Sequence, residues 1–548
     1  MTRRELAALA CVLIATALSW SCGGGTDTIP TASPSAASPQ PSSTAAQPNS
    51  DGLKAETVID LASTGAATTI FAAEKDDLRS DLPPLVSGDF NGDGIADILI
   101  GARFGDGPDD SREDAGEAYV IMGSPNMPAS IDIAAGEQDL TIWGASPGGN
   151  LGFYAAADDV NDDGIDDILV SAPFADASEG PGADRGAVYI LFGRRSGLPA
   201  TVDLAQTAAD VTLVGAGSNS YFGDSLATGD VNGDGISDVM IGATFEQRPA
   251  AAAASAARAG ATYAVFGSGS WPDMLSMDSG EYDAAIFGAE DLDELGDTVA
   301  SGDINGDGLD DIIMTAEAAD GPKNDRPTAA EVHIVFGSKT LNGDLDIGRG
   351  DQDISIFGAD PTDTLGFTLA SADLNGDGMA EVIMGARGDS GPGNSAERAG
   401  AAYVLYGGRD LPASIDLIGL PDAIVGLYGP DPSDLMAGVA TGDLDGDEKQ
   451  ELMLGATFGD GEGNSRTNGG DLYVLDASGL TGYQSLTAYP LKVAVFGANE
   501  GDRLGAAAAL ADVNGDGTAE LLVMAFDADG PQESREGAGE VYVISLKD

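Results

Sequence analysis

Short apolar runs separated by polar turns fill the chain from about residue 57 onward, and they predict β-strands. In the third repeat of this pattern the runs cover residues 226–228, 239–241, 263–266 and 285–287. Runs of three or four apolar residues bounded by glycine and aspartate are typical of strands, because a helix needs a longer stretch with a period near 3.6. The group of four runs returns at intervals of about 70 residues.

Four strands repeated seven times predict an all-β fold, a seven-bladed β-propeller with four-stranded blades. The seventh repeat supplies only three strands before the chain stops. Residues 69–71, which precede the first repeat, align with fourth-strand segments such as residues 142–143 and 356–357. We therefore expect this N-terminal strand to complete the last blade and to close the ring.

A nine-residue acidic loop lies between the first and second strands of each repeat, with the pattern Asp-x-Asn/Asp-x-Asp-Gly-x-x-Asp/Glu. The loops start at Asp89, Asp159, Asp230, Asp303, Asp373, Asp443 and Asp512. Oxygen side chains at positions 1, 3, 5 and 9, with the backbone carbonyl of position 7, can surround a cation when a glycine at position 6 adopts positive φ. An all-oxygen cage of this kind suits Ca²⁺ better than Mg²⁺.

These positions define the predicted metal ligands, for up to seven Ca²⁺. They are Asp89, Asn91, Asp93, Ile95 and Asp97; Asp159, Asn161, Asp163, Ile165 and Asp167; Asp230, Asn232, Asp234, Ile236 and Asp238; Asp303, Asn305, Asp307, Leu309 and Asp311; Asp373, Asn375, Asp377, Met379 and Glu381; Asp443, Asp445, Asp447, Lys449 and Glu451; Asp512, Asn514, Asp516, Thr518 and Glu520. A single copy could equally be a metal-free Asp/Asn turn. Seven copies favour Ca²⁺, because clustered carboxylates repel one another without a cation. Glu448 replaces the glycine of the sixth loop, which predicts the weakest site there.

The overall charge excludes one class of partner. With 90 acidic and 25 basic side chains the chain carries a formal net charge of -65, so a nucleic-acid partner is not expected. His333 is the only histidine, and it occupies a third-strand position that is tyrosine in the other repeats, which predicts a packing role. With one histidine and no cysteine in the propeller, we identify no catalytic residues and no cofactor other than Ca²⁺.

The N-terminus has the composition of an export signal. Residues 1–21 carry Arg3 and Arg4 followed by an apolar run that is too short for a stable membrane span. Cys22 then resembles the lipidated first residue of a bacterial lipoprotein; ordinary cleavage, leaving a soluble secreted protein, is the alternative. Residues 22–55 are rich in Ser, Thr, Pro and Gly and predict a disordered tether, and residues 56–548 form the predicted propeller.

The repeats resemble the FG-GAP repeats of integrin α subunits and of many bacterial surface proteins. The motif's Phe-Gly, acidic loop and Gly-Ala-Pro are visible as Phe222-Gly223, residues 230–238 and Gly242-Ala243-Thr244. The first repeat departs from it with Asp81-Leu82-Pro83-Pro84. The resemblance implies Ca²⁺ in the hairpins on one face of the propeller and partner binding mainly through loops on the opposite face.

Two further patterns have both a structural and a functional interpretation. Aspartate and arginine recur six residues apart between the second and third strands, as Asp106/Arg112, Asp320/Arg326, Asp460/Arg466 and Asp529/Arg535. We interpret them as Asp–Arg braces for these loops rather than as a charged ligand rim. Arg387-Gly388-Asp389 spells a tripeptide that integrins could bind, but it falls within the same repeated loop, and we interpret it as a coincidence.

Three functions are compatible with these features. The first is a non-enzymatic binding or adhesion module on the bacterial cell surface that binds calcium. We expect it to be monomeric and to bind an unknown protein or glycan ligand. The second is a carbohydrate-active enzyme, a lyase or glycosidase, because propellers can place a carboxylate pair at the mouth of the channel. The third is a purely structural component of the cell envelope.

Overall fold

The computed structural model describes residues 53–80, 84–176, 184–247, 258–421, 423–447 and 449–546. Within them the chain forms seven separate five-stranded sheets, which are the blades of a propeller. The predicted all-β, seven-bladed architecture is confirmed, whereas the prediction of four strands per blade is wrong. The predicted signal peptide, Cys22 and almost all of the predicted tether lie outside the described residues, as does Glu448.

The first three blades are given from the inner to the outer strand. Blade 1 contains Leu85–Gly88, Asp97–Ala102, Glu117–Ile121, Leu140–Trp143 and Thr201–Asp203. Blade 2 contains Ala155–Asp158, Asp167–Ala172, Ala187–Leu191, Val211–Val214 and Met274–Ser276. Blade 3 contains Phe222–Gly229, Asp238–Ala243, Ala261–Val265, Ala284–Phe287 and Gly343–Asp346.

The remaining four blades have the same order. Blade 4 contains Leu295–Gly302, Asp311–Ala316, Glu331–Val335, Ile354–Phe357 and Ser414–Asp416. Blade 5 contains Leu365–Ala372, Glu381–Ala386, Ala401–Leu405, Ile424–Tyr428 and Tyr483–Ser485. Blade 6 contains Gly438–Gly442, Glu451–Ala456, Asp471–Leu475, Pro490–Phe496 and Lys54–Asp60. Blade 7 contains Leu504–Ala511, Glu520–Ala525, Glu540–Ile544, Thr68–Phe71 and Ser130–Asp132.

In blades 1 to 6 the fifth strand comes from a different part of the chain than the other four, and in blade 7 both the fourth and the fifth strands do. Thr201–Asp203 lies between the third and fourth strands of blade 2, yet it pairs in parallel with the outer strand of blade 1. Only Val202 of this strand is buried, so the segment carries almost no hydrophobic signal. That weak signal explains why the sequence did not predict a fifth strand.

Both N-terminal strands belong to the blades formed by the C-terminal part of the chain. Lys54–Asp60 pairs in parallel with Pro490–Phe496 of blade 6. Thr68–Phe71 pairs antiparallel with Glu540–Ile544 and is the fourth strand of blade 7. Blades 7 and 1 are also hydrogen-bonded to each other, since the amide of Ala96 donates to the carbonyl of Asp512 at 3.1 Å.

The core consists of layers between neighbouring blades. The second strand of every blade, for example Asp238–Ala243, is buried along its whole length, because it packs against a blade on each face. In the part of the chain that the structure describes, the helical elements are single 3-10 turns at Pro108–Asp110, Ile133–Ala135, Met277–Ser279, Ile347–Arg349, Glu462–Asn464, Leu486–Ala488 and Pro531–Glu533. No helix within the described ranges has the length and apolar character needed to cross a membrane.

Candidate metal loops and the opposite face

The acidic loops are tight hairpins whose carboxylates face their own backbone. In the third loop Asp230 accepts hydrogen bonds from the amides of Gly233 at 2.6 Å and Gly235 at 2.9 Å. Asp234 accepts one from the amide of Ile236 at 3.0 Å. Gly235 has φ of +90°, as the predicted turn at position 6 requires. Positions 1, 5 and 7 of the predicted ligand set are thus brought together in a single turn.

The carboxyl group at position 9 is buried beneath the turn of each loop. Oδ1 of Asp97 accepts from the amide of Gly123 at 2.8 Å, and Oδ2 accepts from the amide of Phe90 at 3.1 Å. Burial raises the pKa of this carboxyl to about 7, and the two amide hydrogen bonds act in the opposite direction. Burial likewise raises the pKa to about 7 at the equivalent acids Asp167, Asp238, Asp311 and Glu381.

The asparagine at position 3 connects the outer and buried parts of the loop. Nδ2 of Asn232 donates to Oδ1 of Asp238 at 2.9 Å. The same amide-to-carboxylate bond is formed by Asn91, Asn161, Asn305, Asn375 and Asn514. Because the amide donates through nitrogen, its oxygen keeps lone pairs with which it can bind a cation.

The donor set of these hairpins fits Ca²⁺. By sequence, six of these turns carry three carboxylates and one asparagine amide oxygen, and the sixth loop carries four carboxylates. Oxygen ligands in this number are those that Ca²⁺ prefers. In the sixth loop, carboxylate oxygens of Asp443, Asp445 and Asp447 all lie within 4.8 Å of one another. Carboxylates this close repel each other unless a positive charge is added.

The sixth loop differs from the others in a way that the sequence analysis did not find. Position 3 is Asp445, which cannot donate a hydrogen bond to the buried Glu451. Instead, the ammonium of Lys492 lies 2.6 Å from Oδ2 of Asp445 and 2.5 Å from Oε1 of Glu451. The sequence signal for this difference is Asp445, because position 3 is asparagine in the other six loops.

The loops after the second strands lie on the face opposite the acidic hairpins, because the strands run antiparallel. Four half-buried aromatic side chains there form consecutive edge-to-face pairs, which we call the aromatic arc: Phe153, Phe174, Tyr221 and Phe245, with centroid separations of 5.9, 4.8 and 5.0 Å. The guanidinium of Arg103 covers Phe153 at 5.0 Å, and that of Arg258 covers Phe245 at 4.8 Å. The arc therefore spans blades 2 and 3 and ends in a positive charge on each side.

Four carboxyl groups beside the arc form an acid cluster: Asp224, Glu294, Asp297 and Glu317. Burial raises the pKa of Asp297 well above its usual value, and the charges of Glu317 and Asp224 raise it further. Burial also raises the pKa of Glu294 to about 7 and that of Asp224 to about 6. The equivalent position, after the aromatic- or leucine-glycine pair, is Phe153, Asp224, Asp297, Phe367 and Ala506 in blades 2, 3, 4, 5 and 7, so this face lacks sevenfold symmetry.

The arginines of the repeated Asp–Arg motif do pair with aspartates, but not with the predicted ones. Arg112 lies 2.7 Å from Asp203 at the end of the fifth strand of its blade. Asp106 instead accepts a hydrogen bond from the amide of Asp114 at 2.8 Å. The predicted pairing within the motif was wrong because the fifth strand, which supplies the true partner, was not foreseen.

Two single residues have structural roles in the described propeller. Asp389 of the Arg-Gly-Asp tripeptide is buried, and its carboxylate accepts hydrogen bonds from the hydroxyls of Tyr403 and Tyr483. His333 is 3% exposed, and its Nδ1 lies 3.0 Å from the hydroxyl of Ser355. The packing role predicted for His333 is confirmed.

Seven blades with an acidic hairpin between the first and second strands define a β-propeller of the FG-GAP type. The FG-GAP repeat profile matches residues 85–121, 155–191, 222–265, 295–334, 365–405 and 504–544, and this chain belongs to the FG-GAP repeat proteins. Blade 6, with its unusual loop, falls outside the matched ranges.

Parts of the chain are similar to two kinds of characterised protein. One segment is 31% identical over 166 residues to phosphatidylinositol-glycan-specific phospholipase D of Bos taurus, covering 29% of this chain and 18% of that protein. Another match is 33% identical over 162 residues to integrin alpha-5 of Xenopus laevis, covering 28% and 14%. The phospholipase D of Dictyostelium discoideum is 24% identical over 365 residues, covering 61% and 35%. The chain thus spans well under half the length of these relatives.

Among solved structures, a rhamnogalacturonan lyase of Bacillus licheniformis is similar with a TM-score of 0.38 and 12% identity, over 87% of this chain and 72% of that one. A lectin of Agrocybe aegerita that recognises non-reducing terminal N-acetylglucosamine is similar with a TM-score of 0.33 and 15% identity, over 74% and 80%. Similarities this distant do not bear on function.

Proposed function

We propose that this protein is an exported, calcium-binding β-propeller that acts outside the cell as a non-enzymatic binding module. The acidic hairpins hold Ca²⁺ through the side-chain oxygens of positions 1, 3, 5 and 9 and the carbonyl of position 7. The bound ion neutralises the clustered carboxylates and rigidifies the hairpins. Thr68–Phe71, paired with the last strand of the chain, closes the ring and keeps the blades in place.

The observation that carries the binding role is the asymmetry of the face opposite the hairpins. Half-buried aromatic rings bordered by Arg103 and Arg258, next to a cluster of carboxyl groups, resemble the aromatic and charged composition of protein interfaces. Blades 1 and 6 also place a phenylalanine under an arginine at this position, as Phe104 and Phe458. Among the described residues, the continuous series of ring contacts through Phe174 and Tyr221 is found only in blades 2 and 3, so a single ligand has one place to bind. The ligand is a protein or a glycan that packs against the aromatic rings and forms hydrogen bonds with the carboxyl groups.

Two matched phenylalanines test where the ligand binds. Phe245 of blade 3 and Phe458 of blade 6 follow the second strand at the same position, and an arginine covers each, Arg258 at 4.8 Å and Arg503 at 4.8 Å. Only Phe245 belongs to the aromatic arc. In a binding screen of the full chain against a panel of glycans and extracellular proteins, we expect Phe245→Ala to weaken binding at least tenfold and Phe458→Ala to leave it unchanged. Equal losses for both variants, or no binder in the panel, would argue against this face.

A second candidate function is a carbohydrate-active enzyme that uses the acid cluster. The raised pKa of Asp297, next to Glu317 and Asp224, is what a carboxyl group that donates a proton to a leaving group requires. The similarity to phosphatidylinositol-glycan-specific phospholipase D also leaves a hydrolytic activity open. Turnover of a polysaccharide panel by the intact chain, lost in Asp297→Asn while glycan binding persists, would select this function over the first.

A further inference from the structure

Lys492 occupies a position that is acidic in most other blades. It directly precedes Val493, which pairs with Val474 of the third strand. In blade 2 the equivalent residue is Asp210, which precedes Val211. The residues in this position of the first four blades are Asp139, Asp210, Asp283 and Asp353, and each accepts a hydrogen bond of 2.8 or 2.9 Å from the amide that follows the third strand. Blade 6 therefore replaces an anion by a cation here.

The change coincides with the replacement of asparagine at position 3 of the same loop. In the other six loops an asparagine amide donates to the buried acid at position 9. Asp445 cannot make this bond and adds a negative charge instead. The ammonium of Lys492 takes over the missing hydrogen bond to Glu451 at 2.5 Å and neutralises Asp445 at 2.6 Å. Two departures from the repeat thus compensate each other in one loop.

The contact between Lys492 and Glu451 is partly buried. The side chain of Glu451 is 2% exposed and that of Lys492 is 24% exposed, so solvent screens the pair only in part. Carboxylate oxygens of Asp443, Asp445 and Asp447 lie within 4.8 Å of one another, and Lys492 connects Asp445 to Glu451. A single ammonium in contact with two of them reduces the repulsion that would otherwise call for a divalent ion.

We propose that the ammonium of Lys492 is a built-in counter-ion for the sixth loop, so that Ca²⁺ binds there only by displacing it from Asp445 and Glu451. This inference rests on the proposed binding of Ca²⁺ by the other six loops. Among the described residues, position 3 of those loops is an asparagine with no lysine or arginine paired to it, and those loops bind the ion directly. Two consequences follow: the sixth loop has a lower Ca²⁺ affinity than the others, and it keeps its fold when Ca²⁺ is removed.

Calcium titration of the full chain, as wild type and as Lys492→Met, tests the inference. Methionine keeps much of the aliphatic length and removes the charge. For the wild type we expect six ions to bind at low Ca²⁺ and a seventh only at a concentration at least tenfold higher. For Lys492→Met we expect all seven to bind together, because the acidic side chains of the sixth loop then lack the ammonium and attract the ion.

Melting temperatures give a second readout that does not depend on counting sites. Lys492→Met is expected to lower the melting temperature in EGTA and to leave it close to the wild-type value in Ca²⁺. Lys75→Met is the control, since Lys75 pairs at 3.4 Å with exposed Glu536, away from the loops, and it should have the same small effect in both conditions. If Lys492→Met does not fold in EGTA, the calcium titration is carried out on the double variant Asp445→Asn/Lys492→Met. This variant restores the asparagine found at position 3 of the other loops.

The outcomes separate the two claims. Seven equivalent ions in the wild type, or six ions in both chains at every concentration, would overturn the role of Lys492 and leave the calcium loops intact. Ca²⁺ uptake by neither chain would remove the proposed function, and the inference with it.

Discussion

The guanidinium of Arg112 lies 2.7 Å from the carboxylate of Asp203, and this contact holds the end of the fifth strand of blade 1. Arg112 belongs to blade 1, whereas Asp203 ends a strand that reaches blade 1 from the connection within blade 2. The contact recurs between arginines and aspartates at the same places in three other blades, as Arg326–Asp416, Arg466–Asp60 and Arg535–Asp132. The fifth strands are thus fastened at their ends by charge as well as by backbone pairing.

Loss of one of these contacts should destabilise the ring measurably. Arg112 and Asp203 are 12% and 13% exposed, so Arg112→Met leaves a largely buried carboxylate without its partner. We expect the free energy of unfolding to fall by about 1–3 kcal/mol. Urea denaturation in saturating Ca²⁺ measures this. Arg194→Met is the control, because Arg194 is 45% exposed and its contact with Asp210 should contribute less than about 1 kcal/mol.

Removal of the N-terminal strands tests the closure of the ring. Deletion of residues 1–72 removes Lys54–Asp60 from blade 6 and Thr68–Phe71 from blade 7, which exposes the edges of two blades. We expect a lower melting temperature and a tendency to associate, measured by calorimetry and by light scattering. Deletion of residues 1–52 alone should change neither quantity. A stable monomer after the longer deletion would show that the ring does not depend on these strands.

A pH dependence should arise from buried acids outside the metal loops. Burial, and next the charge of Asp471, together raise the pKa of Asp434 to about 9. The folded state therefore holds a proton that the unfolded state, with a pKa near 3.8, releases. Stability from this group is fully present at about pH 4 and is lost as the pH rises toward 9, by at most about 1.4 kcal/mol per pH unit.

Comparison of the wild type with Asp434→Asn isolates this contribution. Asparagine is neutral at every pH, so it resembles the protonated carboxyl and should flatten the decline of stability between pH 6 and 9. Denaturation at fixed, saturating Ca²⁺ keeps the metal loops constant. Parallel pH profiles for the two chains would mean that Asp434 is ionised in the folded protein.

Lipidation of Cys22 stays a prediction from the sequence. We expect mass spectrometry of the mature N-terminus to find a diacylated Cys22 and Cys22→Ala to be released into the medium. A mature wild-type chain that begins near Ser21 without lipid would instead indicate ordinary secretion.

Sequence reasoning reached the number of blades and the acidic loops because both are repeated and locally encoded. The turn glycines, such as Gly235, and the buried second strands follow from short-range pattern alone. It missed the fifth strands, because a three-residue strand with one buried side chain carries little signal. It also missed Lys492 and the partners of the arginines, because those contacts join residues far apart in the chain, for example Lys492 and Asp445.

Crystallography of the intact propeller grown in millimolar CaCl₂ decides whether the acidic hairpins bind Ca²⁺. We expect density for an ion, surrounded by oxygens at about 2.3–2.6 Å, in the hairpins that begin at Asp89, Asp159, Asp230, Asp303, Asp373 and Asp512. Hairpins that contain only water under these conditions, with the same side-chain hydrogen bonds to their own backbone, would contradict it.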